Sequence, residues 1–187
     1  MKGNIMNINL DIFRAAILFA GKHDIRFYLN GVHVTAGRIQ SSNGHAAFFH
    51  RVDIPAGVDV IIPREVIEQV LKVKAKECEL SIGETCLIQA AGIEFKFKPV
   101  DGKFPDCTRF IPEKVTGEAA TFNPEYLVAC QKAAKALHGG KGYFRMAYNG
   151  IGPAVIRFSE HDTAFAIVMP MREMTDLDIS SIQWAKQ

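Results

Sequence analysis

Cysteine is scarce in this chain of 187 residues and follows no pattern. Cys78, Cys86, Cys107 and Cys130 include no C-x-x-C pair, and a chain of this size needs no disulfide framework to hold a core together. A reducing, cytoplasmic setting is expected. Long apolar runs are missing as well: charges or glycines interrupt every candidate well short of a bilayer crossing, so no membrane partner is expected. The first residues, Met1-Lys2-Gly3-Asn4, carry no signal-peptide hydrophobic region. Charge of one sign is not in excess. The formal net charge is +2, too small to announce a nucleic-acid binder, so any DNA affinity must come from where the basic residues sit. What is present is apolar content, 48% of residues, enough for one sizeable core or two small ones.

Catalytic signatures are equally thin. Gly139-Gly140-Lys141-Gly142 is glycine-rich, but a Walker A loop needs a further glycine where Lys135 stands and Ser or Thr where Gly142 stands. It reads as a helix stop. His45 and His50 lack the spacing and acidic partner of a helical zinc site, and His23, His33, His138 and His161 are scattered, so no metal is expected. Cys107 lies between Asp106 and Thr108 with no histidine nearby in sequence. The chain is therefore read as a non-enzyme without a cofactor. A distant alternative is an enzyme with a cleft around His45, Cys107 and Arg109.

Strand, helix and turn signals recur three times. In the first copy, Ile5, Ile8 and Leu10 precede an apolar helical stretch over 11–20 that Gly21 stops; β-rich segments follow, punctuated by Asn30-Gly31, Gly37 and Asn43-Gly44. The second copy opens with a strand over 58–62 and has Pro63 at the first helical position, where its missing N–H would have had no partner. Val66, Ile67, Val70, Leu71 and Val73 follow at near-helical spacing, then strands over 78–82, 86–91 and 93–98. The third copy has a strand over 119–122, Asn123 as helix cap, Pro124 as first helical residue, and Tyr126, Leu127, Cys130, Ala133, Ala134 and Leu137 as the apolar helix face. Strands are predicted over 143–148, 154–159 and 163–169. The repeated order is βαβββ, which makes an α+β fold. No copy can bury its helix face alone, so copies should pack in pairs.

Three segments, Arg26-Phe27-Tyr28-Leu29-Asn30-Gly31, Asp101-Gly102-Lys103-Phe104-Pro105-Asp106 and Ala166-Ile167-Val168-Met169-Pro170-Met171-Arg172, resemble, in this order, the bacterial DNA polymerase III beta subunit, the sliding clamp. The resemblance implies a DNA-clamp fold of βαβββ half-domains, with helices lining a ring and sheets outside. Residues 1–112 resemble the clamp's middle domain, built of two halves, and 113–172 the second half of its last domain. The tail, 173–187, runs past the usual end of the family. The resemblance further implies a peptide-binding pocket formed by Leu29, Ser42, Gly44 and His45, by Pro105, Arg109 and Phe110, and by Val168, Met169, Pro170, Met171 and Arg172. Methionine adapts to varied apolar side chains, while histidine and arginine direct hydrogen bonds. From periodicity alone, 167–171 reads as a buried strand and Asn43-Gly44-His45 as a tight turn. Where the family usually has Asp-Gly-His-Arg-Leu, this chain has Asn43-Gly44-His45-Ala46-Ala47, which implies a wider and less charged pocket.

The implied function is that of a replication accessory protein, a polymerase processivity factor that binds polymerase and clamp-loader peptides and encircles or associates with DNA. Basic residues for weak, sequence-independent phosphate contact are Arg14, Lys22, Arg26, Arg64, Lys72, Lys74, Lys76, Lys132, Lys135 and Lys141, although a solvated helix face would look the same. Glu65, Glu68, Glu77 and Glu125 dilute that field. The alternative is a clamp mimic or decoy from a mobile element that forms no ring and competes for clamp-binding proteins. The third copy, with its helix face uncovered, implies a homodimer, and a second contact between first-copy ends a tetrameric ring. The tail, with Leu177, Ile179, Ile182 and Trp184, could fold back over a pocket.

Overall fold

A computed structural model describes residues 4–140, 142–158, 163–172, 183 and 185. The first copy consists of β1 (Asn4–Asn9), α1 (Leu10–Ala16), β2 (Gly31–Thr35), β3 (Arg38–Ser42) and β4 (Ala46–Arg51). The second has β5 (Asp59–Pro63), α2 (Arg64–Val70), β6 (Glu77–Ile82), β7 (Cys86–Ala90) and β8 (Ile93–Phe97). The third has α3 (Pro124–His138), β9 (Arg145–Ala147), β10 (Ala154–Arg157) and β11 (Ala164–Val168). The mixed architecture and the repeat are as the sequence leads one to expect, with local corrections, of which two change an element's existence or length. Residues 119–122 form no strand, and α1 is shorter than 11–20.

Local chemistry accounts for the helix limits. The side chains of Asn9 and Asn123 accept the N–H groups of Asp11 (2.8 Å) and Glu125 (2.9 Å), and Pro124 opens α3. Pro63 is the cap residue of α2, one position earlier than expected, because it still belongs to β5 with extended backbone. After Ala16 the chain tightens, with Leu18 and Phe19 N–H donating to Ala15 and Ala16 carbonyls. Arg64 then takes the carbonyls that this end leaves over: its Nη1 donates to Ile17 O (3.0 Å), Ala20 O (3.1 Å) and Gly21 O (3.2 Å). Gly139, at φ +68, stops α3.

All strand pairs are antiparallel, in a four-stranded sheet β1-β6-β7-β8 and a seven-stranded sheet β5-β2-β3-β4-β11-β10-β9. The first two copies exchange their opening strands: β1 pairs with β6 of the second copy, and β5 with β2 of the first. The third copy joins edge to edge through β11 on β4, with Phe48 opposite Ala166. This internal comparison leaves two edges unfilled among the described residues. β2 and β6 each receive an exchanged strand, whereas their counterpart β9 ends its sheet; β4 is joined to β11, whereas their counterpart β8 ends its own. The open end of the N-terminal pair is thus in the second copy, not at the first-copy end named above. The helix of the third copy is not uncovered either. α3 packs along α1, burying Cys130, Ala133 and Ala134, small residues that permit close approach.

The middle strands of the seven-stranded sheet, β2, β3, β4 and β11, are buried on both faces. In β4, Ala46 and Phe48 point into the main core while Ala47 and Phe49 point outward, as the two-residue period requires. The outward side forms a second cluster of Leu29, Ala47, Phe49, Ile61, Phe104, Cys107 and Ile167. Its cover is the linker after β8, anchored by Val100 N–H donating to Ile61 O (2.9 Å) and by Phe104 stacked on buried His33 (centroids 4.7 Å apart). Among the described residues no helix is long and apolar enough to cross a membrane.

Candidate functional site

At the seam between the first and third copies the linker leaves part of the second cluster uncovered, and a cavity of about 230 Å³ opens there. Four stretches build it. The 3-10 turn Phe27–Leu29 contributes Tyr28 and Leu29, preceded by Arg26; the β3–β4 turn and the start of β4 contribute Ser42, Gly44, His45, Ala46 and Ala47. The linker contributes Pro105, Cys107 and Phe110, and the third copy Ile167 and Met169. The cavity is lined mainly by apolar groups with a few polar ones among them, the pattern of a site that captures apolar side chains and orients them.

The rim is rigidly held. The Asn43 side chain accepts the N–H groups of His45 (2.9 Å) and Ala46 (2.8 Å), and the Ser42 hydroxyl accepts from Gly44 N–H (3.0 Å) while donating to Ala46 O (3.0 Å). Gly44 sits at φ +88, and a Cβ there would come within 2.7 Å of the Arg26 guanidinium, so only glycine suits both the turn and the arginine. His45 is stacked on Tyr126 of α3, centroids 5.9 Å apart, and its carbonyl accepts Met169 N–H at 2.8 Å. Arg26 is clamped to Asp24 through Nε (3.0 Å) and Nη2 (2.8 Å) and donates to Asn43 O (3.2 Å). That fork holds the Asp24 carboxyl down at about 2.

Of the pocket residues named from sequence, Leu29, Ser42, Gly44, His45, Pro105, Phe110 and Met169 line the cavity. Five do not. Val168 is fully buried in the main core on the opposite face of β11 from Ile167, which takes its place. Arg109 lies against Phe110, its guanidinium carbon 5.8 Å from the ring centre, and Pro170, Met171 and Arg172 lead away, Met171 N–H donating to Thr121 O. Tyr28, Cys107 and Ile167, which sequence reading did not place in the peptide pocket, line it as well, together with Ala46 and Ala47, the pair read from sequence as widening it. Sequence reading placed Arg26 on DNA, whereas Arg26 stands at this rim, so the pocket keeps a guanidinium although the β3–β4 turn has none.

The other basic candidates separate cleanly. Lys22, Lys72, Lys74, Lys76, Lys132 and Lys135 are exposed, Arg14 is paired with Asp11 at 2.6 Å, and Arg64 is committed to α1 and Glu68. Lys141 and the tail residues Leu177, Ile179, Ile182 and Trp184 lie outside the described residues. Burial pushes the Cys107 thiol up, away from the thiolate a nucleophile needs, and pushes Cys78 and Cys130 up to about 12. His45 and Cys107 line one cavity, but Arg109 is not part of it. Among the described residues no three His, Cys, Asp or Glu side chains are placed to hold a metal ion.

Half-domains that exchange opening strands, and a further one that extends their sheet edge to edge, make this a DNA sliding-clamp fold. The chain superimposes on the DNA polymerase III subunit beta of Pseudomonas aeruginosa with a TM-score of 0.72 at 19% identity, covering 92% of this chain and 67% of that one. It does so on the sliding clamp of Bacillus subtilis with 0.73 at 17% identity (92% and 65%), and on the sliding clamp of Bartonella birtlesii bound to griselimycin with 0.71 at 16% (92% and 67%). The chain spans about two thirds of the length of these proteins. No protein-family model matches the sequence, and no curated protein matches it.

Proposed function

We propose that this protein is a sliding-clamp-type replication accessory factor, non-enzymatic, which captures a short apolar peptide of a DNA polymerase or clamp loader and tethers it at DNA. The observation that carries the reading is the cavity itself, set at a seam of the clamp fold and built from segments of both copies and the linker. Leu29, Ile167 and Met169 would bury the peptide's large side chains, while His45 and Arg26 orient its polar groups. The exposed lysines of α3, with those after α2, would supply weak phosphate attraction of the kind a mobile tether needs. Closure into a ring would fall to β8, the open sheet end. Its sequence Ile93-Glu94-Phe95-Lys96-Phe97 is charge-complementary to itself, so an antiparallel two-fold pairing centred on Phe95 sets Glu94 opposite Lys96.

A labelled peptide from a bacterial polymerase's clamp-binding segment, titrated with the intact protein and followed by fluorescence anisotropy, tests the reading. Saturable binding that Met169→Ala weakens is expected; no saturable binding would overturn it. A chain that binds the peptide but is never retained on circular DNA would act as a competitor for clamp-binding proteins instead.

A further inference from the structure

The open edge of β9 is one that the molecule itself shows how to cover. Its counterparts β2 and β6 each receive the opening strand of a sister copy, with Ile62 opposite Val32 and Ile8 opposite Cys78, all four buried. In both exchanges the helix-cap residue stands opposite the first residue of the receiving strand: Pro63 with Gly31, and Asn9 with Glu77. The third copy has both parts of this device. Its receiving strand ends the sheet, and its opening segment, 119–122, forms no strand.

That segment is nevertheless held where an opening strand belongs. Met171 N–H, three residues past β11, donates to Thr121 O at 2.7 Å, as Val100 N–H, three residues past β8, donates to Ile61 O at 2.9 Å. Thr121 and Ile61 each stand two residues before their helix caps, Asn123 and Pro63. Asn123 has φ −64 and ψ 120, close to the −68 and 125 of Asn9. The segment is aligned as an opening strand, and among the described residues no strand pairs with it.

We propose that a second copy of this chain contains that sheet: two chains meet about a two-fold axis at their third copies, each laying residues 119–122 on the other's β9. Carrying the internal register across sets Asn123 opposite the partner's Arg145, Phe122 opposite the partner's Met146, and Thr121 opposite the partner's Ala147. Phe122 and Met146, both half-buried apolar residues at the edge of the core, then form the inward pair that Ile62 and Val32 form inside the chain. The exchange gives up three bonds that hold 116–118 against the chain's own turn, Thr116 N–H to Asn149 Oδ1, Gly117 N–H to Tyr148 O and Gly150 N–H to Glu118 O. It also lacks one bond of the internal exchanges. Leu10 and Arg64 N–H donate to Lys76 O and Asn30 O, but Pro124 has no N–H to offer. The contact is therefore weaker than its internal models, which suits an association between chains.

The experiment uses the full chain carrying Thr121→Cys and Ala147→Cys, mildly oxidised and run without reductant, beside light scattering of the unaltered protein. In the proposed register these residues face each other as a non-hydrogen-bonded pair, the closer kind, whereas either single variant leaves its cysteine without a partner. The expected result is a doubled mass for the unaltered protein, and conversion of most of the double variant, but of neither single variant, to a covalent dimer. A monomer at micromolar concentration would overturn the proposal, as would a dimer that does not cross-link, which would place the contact elsewhere. A disulfide that joins the two introduced cysteines within one chain would also overturn it, by showing that the chain covers β9 with its own residues.

Discussion

At the scale of single residues, parity along a strand decides which side chains a ligand can reach. Ile167 and Val168 are adjacent and similar, yet one lines the cavity and the other is fully buried in the main core. Truncating Ile167 or Met169 to alanine should weaken peptide binding by about 1–2 kcal/mol or more, the usual range for an anchor contact. Met171→Ala should change it little, and isothermal titration of the three variants checks the contrast. Nothing in the run Ala166-Ile167-Val168-Met169 assigns these sides, because a strand buried on both faces loses the polar alternation that marks inside from outside. His33 offers a second residue-scale expectation. Its ring accepts from Gln40 (2.8 Å), bonds Asp59 (2.5 Å) and stacks on Phe104, and burial pushes its pKa below the ordinary 6.5. The folded state then binds fewer protons than the unfolded chain, so stability is full above 6.5 and declines as pH falls below it. Melting temperature should drop on mild acidification, and His33→Gln should flatten part of that slope; His50, also lowered by burial, would account for a remainder.

At the scale of elements, the notable piece is how little of α1 closes on itself. The chain beyond Ala16 leaves three carbonyls that a single guanidinium gathers, reaching from the start of α2. Arg64→Ala should therefore cost about 1–3 kcal/mol, the range for leaving buried acceptors without their charged donor. Urea unfolding measures it, and the variant's affinity for DNA should fall no more than that of a surface lysine variant. In sequence Arg64 has the look of a phosphate contact, since the carbonyls it serves lie 43 to 47 positions away and no local signal announces them. The copies themselves are legible. The cap at Asn123, the glycine stop of α3 and strand alternation are local properties, and with the turn signals they mark most elements. The exception, 119–122, shows what local properties cannot carry: its pattern is that of a strand, but a strand exists only where a neighbouring strand accepts it.

At the scale of the whole molecule, β8 and β9, the two sheet ends that lack the neighbour their counterparts have, lie at opposite ends of one chain's run of three half-domains. Chains joined alternately through β9 and through β8 by two-fold contacts would close into a ring where the two axes meet at a suitable angle. The expected outcome is retention of the protein on nicked circular DNA and its loss when that DNA is linearised, measured by gel filtration at moderate salt. Placing a charge at Phe95, centre of the proposed β8 pairing, should abolish retention while leaving peptide binding within error. Loss of both would point to a folding defect, which melting would reveal.

The β4–β11 junction also has a consequence for the order in which the molecule comes into being. It pairs strands far apart along the chain, and the cavity lies across it. Contacts so distant in sequence carry a high loop-closure cost and form late. As synthesis proceeds from the N-terminus, the first two copies can exchange their opening strands while the third is still being made. The cavity would then form only once the third copy has been made, so a nascent chain that still lacks this copy would have no such surface to offer a partner.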